Sequence, residues 1–208
     1  MEFFKTNITA KILLLVYIVL FTVCAINPFS RDVWWAENIP LMIIVLVLVV
    51  LYIKGIVFSP ASYLFMSFLL FWHTVGGHYT FERVPFDWFN DFFGFERNMY
   101  DRIGHFSVGF YAFPVMEGVL RYGLVKNKLM AFIFGVFSIA FIAMGYELLE
   151  WQFAVSADSS AGSDFLGAQG DIWDAQKDML MDTLGAVFAS FVYLISHCER
   201  GVQNIYSK

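Results

Sequence analysis

"LMAFIFGVFSIAFIAMGYELLEWQ", residues 129–152, decides what kind of protein this is. From Leu129 to Tyr146 it carries no charge. That run is close to the roughly 20 apolar residues that a helix needs to cross a bilayer. Glu147 and Glu150 then follow, three residues apart. A carboxylate in hydrocarbon costs several kcal/mol, so an ionisable residue at such a position is by default a candidate for function.

The rest of the chain has the same character. Its 208 residues are 59% hydrophobic, 20% aromatic and 15% charged, with mean hydropathy +0.65. A soluble domain carries about 25% charged residues. The pattern predicts an all-α, polytopic transmembrane bundle of about six helices in a single domain, 1–208. The spans fall at about 9–26, 39–57, 61–79, 104–122, 129–152 and 178–197. Only "KGIVFSP", with Gly55 and Pro60, separates the second from the third. Lys5 and Lys11 ahead of an apolar run, followed by "VCA", have the outline of a signal peptide. The run is long enough to span, however, and reads as the first helix. The two cysteines, Cys24 and Cys198, fall at opposite ends of the bundle, so neither a disulfide nor a cysteine metal site is expected. A net charge of −5 sets nucleic-acid binding aside.

Lys and Arg set the orientation. With the N-terminus inside, the inner loops hold Lys5, Lys11, Lys54, Arg121, Lys126, Lys128, Arg200 and Lys208. The outer loops hold Arg31, Arg83, Arg97, Arg102 and Lys177. Both termini are therefore expected in the cytoplasm. The acids separate more sharply. All but Glu2, Glu117 and Glu199 fall at the outer ends or in outer loops, so one face is specialised. The long outer loops differ in kind. "FERVPFDWFNDFFGFERNMYDR" (81–102) mixes aromatics with charges, as a segment at the membrane interface does. "SADSSAGSDFLGAQGDIWDAQK" (156–177) reads as irregular loop.

Four helix ends then bring histidines and carboxylates to one membrane depth. The third ends "FWHTVGGHYTFE", with His73 and His78. The fourth starts "YDRIGHF", with Asp101 and His105 four apart on one face. The fifth ends with Glu147 and Glu150. The last starts "DIWDAQKDMLMDTLGA", with Asp174, Asp178 and Asp182 in a stripe. Crowded carboxylates must share protons, pair with cations or bind metal. Glu147, Glu150, Asp178, Asp182 and His105 are the expected metal ligands, for Zn, Mn, Fe or Mg. His78, His105 and Asp101 are the expected acid–base groups. Simpler roles stand beside these. Asp101 and Asp174 can be helix caps, and Arg83, Arg97, Arg102 and Lys177 can neutralise acids. His73 can be an interfacial histidine, and Glu117 can pair with Arg121 at i+4. Small residues in "SVGF" and "TLGA" let two helices approach closely beside this cluster.

"FWHTVGGHYTFERVPF", "NMYDRIGHFSVGF", "YELLEW" and "FLGAQGDIWDAQKDMLMDTLGA" together resemble the bacterial YjdF-type inner membrane proteins, over nearly the whole chain. That resemblance implies a multi-pass plasma-membrane protein and assigns no activity. A fainter resemblance is to VanZ-like membrane proteins. "DRIGHF" is similar to their Asp-Lys-x-x-His-Phe, while "ELLEWQ" and "DMLMDTLGA" depart in spacing and in Thr183. It implies a role in the cell envelope. Two functions are expected from the cluster. One is a metal-dependent hydrolase or transferase acting on lipid or lipid-linked substrates at the periplasmic face. The other is a non-enzymatic cation or proton site in a transport or structural membrane protein. No HExxH, GxSxG or phosphatase motif narrows the choice.

Overall fold

The computed structural model describes residues 7–156 and 168–197, and these contain no strand. The expectations that rest on Glu2, Lys5, Cys198, Glu199, Arg200, Lys208 and most of the loop after Ser156 lie outside the described residues. The helices are α1 (Ile8–Cys24), α2 (Arg31–Ile53), α3 (Pro60–Tyr79), α4 (Asp87–Phe93), α5 (Tyr100–Val108), α6 (Ala112–Arg121), α7 (Lys128–Ser156) and α8 (Asp174–Ser196). A 3₁₀ turn at Gly109–Tyr111 joins α5 to α6. Helices α2, α7 and α8 are each long and apolar enough to cross a membrane.

All six expected segments are helical, but the second, fourth, fifth and last have different ends, the fifth running on to Ser156. The second begins at Arg31 instead of 39, because Ser30 accepts the Val33 N–H and starts the helix. It stops at Ile53 because Gly55 turns the chain at φ +81. The fourth begins at Tyr100 and is broken before Pro114, whose ring cannot follow a full α-turn without losing a hydrogen bond. The last begins at Asp174, a turn ahead of 178. The aromatic loop is partly helical as well, since α4 lies within it.

The core is a seam of α6, α7 and α8, where Phe113, Met116, Ile139, Ala186 and Ala189 are almost fully buried. Helices α1 and α2 pack on α3 from the other side, through Tyr17, Leu41 and Leu70. The spacing of "SVGF" and "TLGA" matters as expected. A Cβ on Gly185 would sit 1.9 Å from the Phe106 carbonyl oxygen, so the α5 and α8 backbones touch there.

Away from the acidic end, Glu117 closes a second buried network. It accepts from Ser59 N–H at 2.9 Å, from Ser59 Oγ at 2.7 Å, from Ser62 Oγ and from Arg121. Glu117 thus acts as a cap for α3 supplied by α6. The Arg121 pairing is the one that the i+4 spacing suggests. Glu117→Ala would leave these donors unpaired, at a cost of about 2–3 kcal/mol. Thermal unfolding in detergent is expected to show that loss, with Glu117→Gln intermediate because it keeps an acceptor.

Candidate His–carboxylate centre

The centre is built where α5 crosses α8. Trp72 and Tyr100 fix the α3–α5 angle: their rings stack at 4.2 Å, Trp72 Nε1 donates to Tyr100 O at 2.9 Å, and Tyr100 OH donates to Trp72 O at 2.8 Å. Asn98 ties down the chain before α5 by donating to Glu82 O and Val84 O. One turn of α5 then presents Asp101, Arg102 and His105 to the Asp174–Asp178–Asp182 stripe of α8.

Arg102 is 4% exposed and fills the gap between the helices. Its Nη2 donates to Asp174 Oδ1 at 2.5 Å and reaches Asp171 at 3.4 Å, while its Nη1 binds Asp178. Arg97 adds contacts to Asp174 at 2.7 Å and to Asp101 at 3.7 Å. Lys177 sits 2.6 Å from Asp171. That ammonium, with the Trp173 N–H, holds the Asp171 carboxyl below its ordinary range. Neutralisation is therefore real for Arg97, Arg102 and Lys177. Arg83 also neutralises an acid, Glu82 at 2.9 Å, but outside this cluster, and it lies over Phe29.

His105 stands between two groups of acids. Its Nδ1 is 3.3 Å from Asp182, and its Nε2 is 3.7 Å from both Asp101 and Asp178. With the ring proton on Nδ1, donated to Asp182, the Nε2 lone pair faces two carboxylates. One ligand atom each from Asp101, His105 and Asp178 lies within 4.8 Å of the others. Donors about 2.0–2.2 Å from one ion stand up to about 4.2 Å apart. The two 3.7 Å separations already meet that limit. A carboxylate on the far nitrogen of a ligand histidine is the usual second support of a metal site, and Asp182 is so placed.

The other expected residues divide. Glu147 is in electrostatic range of His105, Asp101, Asp178 and Asp182, and one of its oxygens is buried without a hydrogen bond. Glu150 is 9% exposed, in range of His105, Glu37 and Asp101, with no hydrogen bond or ion pair to its carboxylate among the described residues. His78 stands elsewhere: its Nδ1 meets Cys24 O at 2.9 Å and holds the end of α1. The last turn of α3 turns His78 toward α1, while His73 reaches the acidic side.

Two residues were overlooked. Glu37 is 3% exposed; it pairs with His73 at 2.9 Å and accepts from Tyr146 OH at 3.2 Å. It lies two residues ahead of the expected second span, where hydrophobic run length alone assigns loop. Ser30, a cap one turn before "WWAEN", was the signal that carried the helix through it. Arg102 was read as one charge among four, although it shares α5 with Asp101 and His105.

The whole polar layer thus draws on α2, α3, α5, α7 and α8. A family model described as "Predicted membrane protein (DUF2238)" matches residues 9–199 and takes in every one of these residues. The chain belongs to that family. It is also 34% identical over 182 residues to the "Inner membrane protein YjdF" of Escherichia coli (strain K12), covering 84% of each chain. No solved structure matches. DUF2238 membership and the apolar helices make this a membrane protein, and its helices bring together a His–carboxylate group.

Proposed function

We propose that the chain crosses the inner membrane six times, with both termini cytoplasmic, and binds a divalent cation in the periplasmic half. In this reading it uses that cation to hydrolyse or transfer a group on an envelope lipid or lipid-linked substrate. One observation carries the proposal. Glu37, Asp101, Glu150, Asp174, Asp178 and Asp182 are all buried at this end of the bundle, and the buried cation among them is Arg102. Arg97 and two histidines do not balance the excess, and buried charges must be paired or metal-bound.

Asp101, His105 and Asp178 would hold the ion, and Asp182 would orient His105. Zn, Mn or Fe suits that mixed donor set, and Mg suits the carboxylates. A bound cation would supply a hydroxide nucleophile or polarise a phosphoryl or carbonyl oxygen. Among the described residues neither Glu147 nor Glu150 has a hydrogen bond or ion pair to its carboxylate, so these two are the groups to exchange a proton with the substrate. Arg102 keeps Asp178 and Asp174 in position. Exposed Trp88, Phe92, Trp151 and Trp173 flank this end, which suits a substrate presented at headgroup depth.

Elemental mass spectrometry of protein purified without chelator tests the first half. Wild type is expected to carry close to one Zn, Mn or Fe, and Asp101→Asn/His105→Ala almost none. A metal-free wild type that added Mg²⁺ also fails to stabilise would sink the cation reading. Lipid mass spectrometry on vesicles of envelope lipid tests the second half. Metal without any lipid conversion would favour the cation- or proton-binding role.

A further inference from the structure

The lysine-bearing end of the bundle, opposite the centre, has an opening of its own. The buried residues of α2 are Val33, Trp34, Glu37, Asn38 and Leu41, all in its first half. Beyond Leu41 none is buried, and Leu46 and Ile53 are 62% and 77% exposed. Helices α1 and α2 meet at the acidic end, where Phe21 packs on Trp34 at 5.4 Å and Arg31 donates to Ala25 O. Toward the lysine end they part. An apolar cleft of about 130 Å³ lies between them over α3, and a second of about 480 Å³ lies between α2 and α6. Leu48 and Met66 line both, so the two clefts are neighbours under α2.

Three features say what fills this space. The walls are apolar from Val45 to Ile53, nine residues of α2 spanning about 12 Å. That depth lies within one leaflet's share, about 15 Å, of the hydrocarbon core. Lys11 lines the first cleft, and Lys54 caps α2 one residue beyond Ile53, which lines it too. Near the mouth the Tyr52 hydroxyl is buried without a partner, a donor awaiting an acceptor. Apolar walls, a buried hydroxyl near the opening and cations at the rim match the order of groups in a phospholipid. A second, parallel copy fits less well, because it would bring its own Lys11 and Lys54 against the first pair.

We infer that the two neighbouring clefts under the lysine end of α2 are a binding site for an anionic phospholipid. Its acyl chains lie against Leu48 and Met66. Its phosphate meets Lys11 and Lys54, and Tyr52 donates to the phosphate or to an ester carbonyl. This site is separate from the His–carboxylate centre and does not depend on its chemistry.

Native mass spectrometry in mild detergent tests it, with dioleoyl phosphatidylglycerol and dioleoyl phosphatidylcholine as matched probes. Wild type is expected to retain the glycerol lipid at least tenfold better. Lys11→Gln/Lys54→Gln, both surface changes that the fold tolerates, should bring the two lipids level. Gly118→Phe should cut retention of both severalfold, because a Cβ there points into open space on the wall of the larger cleft. Equal retention of the two lipids by wild type would overturn the inference. So would retention unchanged in both variants, or a lipid-free dimer in which a second copy covers the cleft.

Discussion

Arg102→Met is expected to lower the melting temperature of the detergent-purified protein on the order of 10 °C, from a loss of about 3–5 kcal/mol. The guanidinium is almost wholly buried and binds Asp174 and Asp178 together. Methionine fills similar volume and cannot answer either carboxylate. Two buried anions would then face Asp101 and Asp182, with Arg97 and His105 left as their basic neighbours. Breaking one side of a buried ion pair costs far more than its net worth, because the partner's desolvation remains. Arg102→Lys recovers only part, since an ammonium cannot bridge both aspartates as the planar fork does. The triple variant Arg102→Met/Asp174→Asn/Asp178→Asn separates this cause from lost packing. It should be more stable than Arg102→Met alone, a non-additivity that marks direct coupling. If Arg102→Met melts as wild type does, Arg102 is not what holds α5 to α8.

The amount of this that the sequence carries differs by level. Hydrophobic run length locates the helices, because a bilayer imposes one length scale on all of them. Run length cannot find an end where polar residues go on coiling inside the protein. Helix α2 shows this: Glu37 and Asn38 are polar in sequence, yet buried and helical in the bundle. The spacing of Asp101 with His105, and of Asp174, Asp178 and Asp182, places them on two faces that do meet. Which histidine of α3 joins them was not legible. His73 and His78 lie five apart, so they point to different sides, and only the packing of α1 and α2 decides which side is polar. The clefts beside α2 were equally hidden, because an unburied apolar residue looks the same in sequence whether lipid or protein covers it.

Gly185→Ala and Gly109→Ala are each expected to cost about 3 kcal/mol or more, the upper end of overpacking penalties. In ordinary sites alanine improves on glycine by up to about 1 kcal/mol in a helix interior. Here the sign reverses for a geometric reason. The new Cβ of Gly185 would lie 1.9 Å from Phe106 O and 2.9 Å from Phe106 C. That of Gly109 would lie 2.1 Å from Ala186 N and 2.5 Å from Asp182 O. These are backbone atoms, so no rotamer change relieves the clash, and α5 must move away from α8. The damage reaches the centre because Asp182 is three residues from Gly185 and His105 is four from Gly109. A wedge there pulls the imidazole from Asp182, now 3.3 Å away, and parts Asp101 from Asp178. Bound metal should therefore fall together with melting temperature. Gly118→Ala and Gly145→Ala are the matched controls, since their Cβ positions have no neighbour within 4 Å. They should leave melting temperature unchanged or raised and metal content intact. If all four variants melt alike, backbone contact between α5 and α8 does not set the centre. If the Gly109 and Gly185 variants alone lose both stability and metal, the small-residue seam is what brings the acids of α8 to His105.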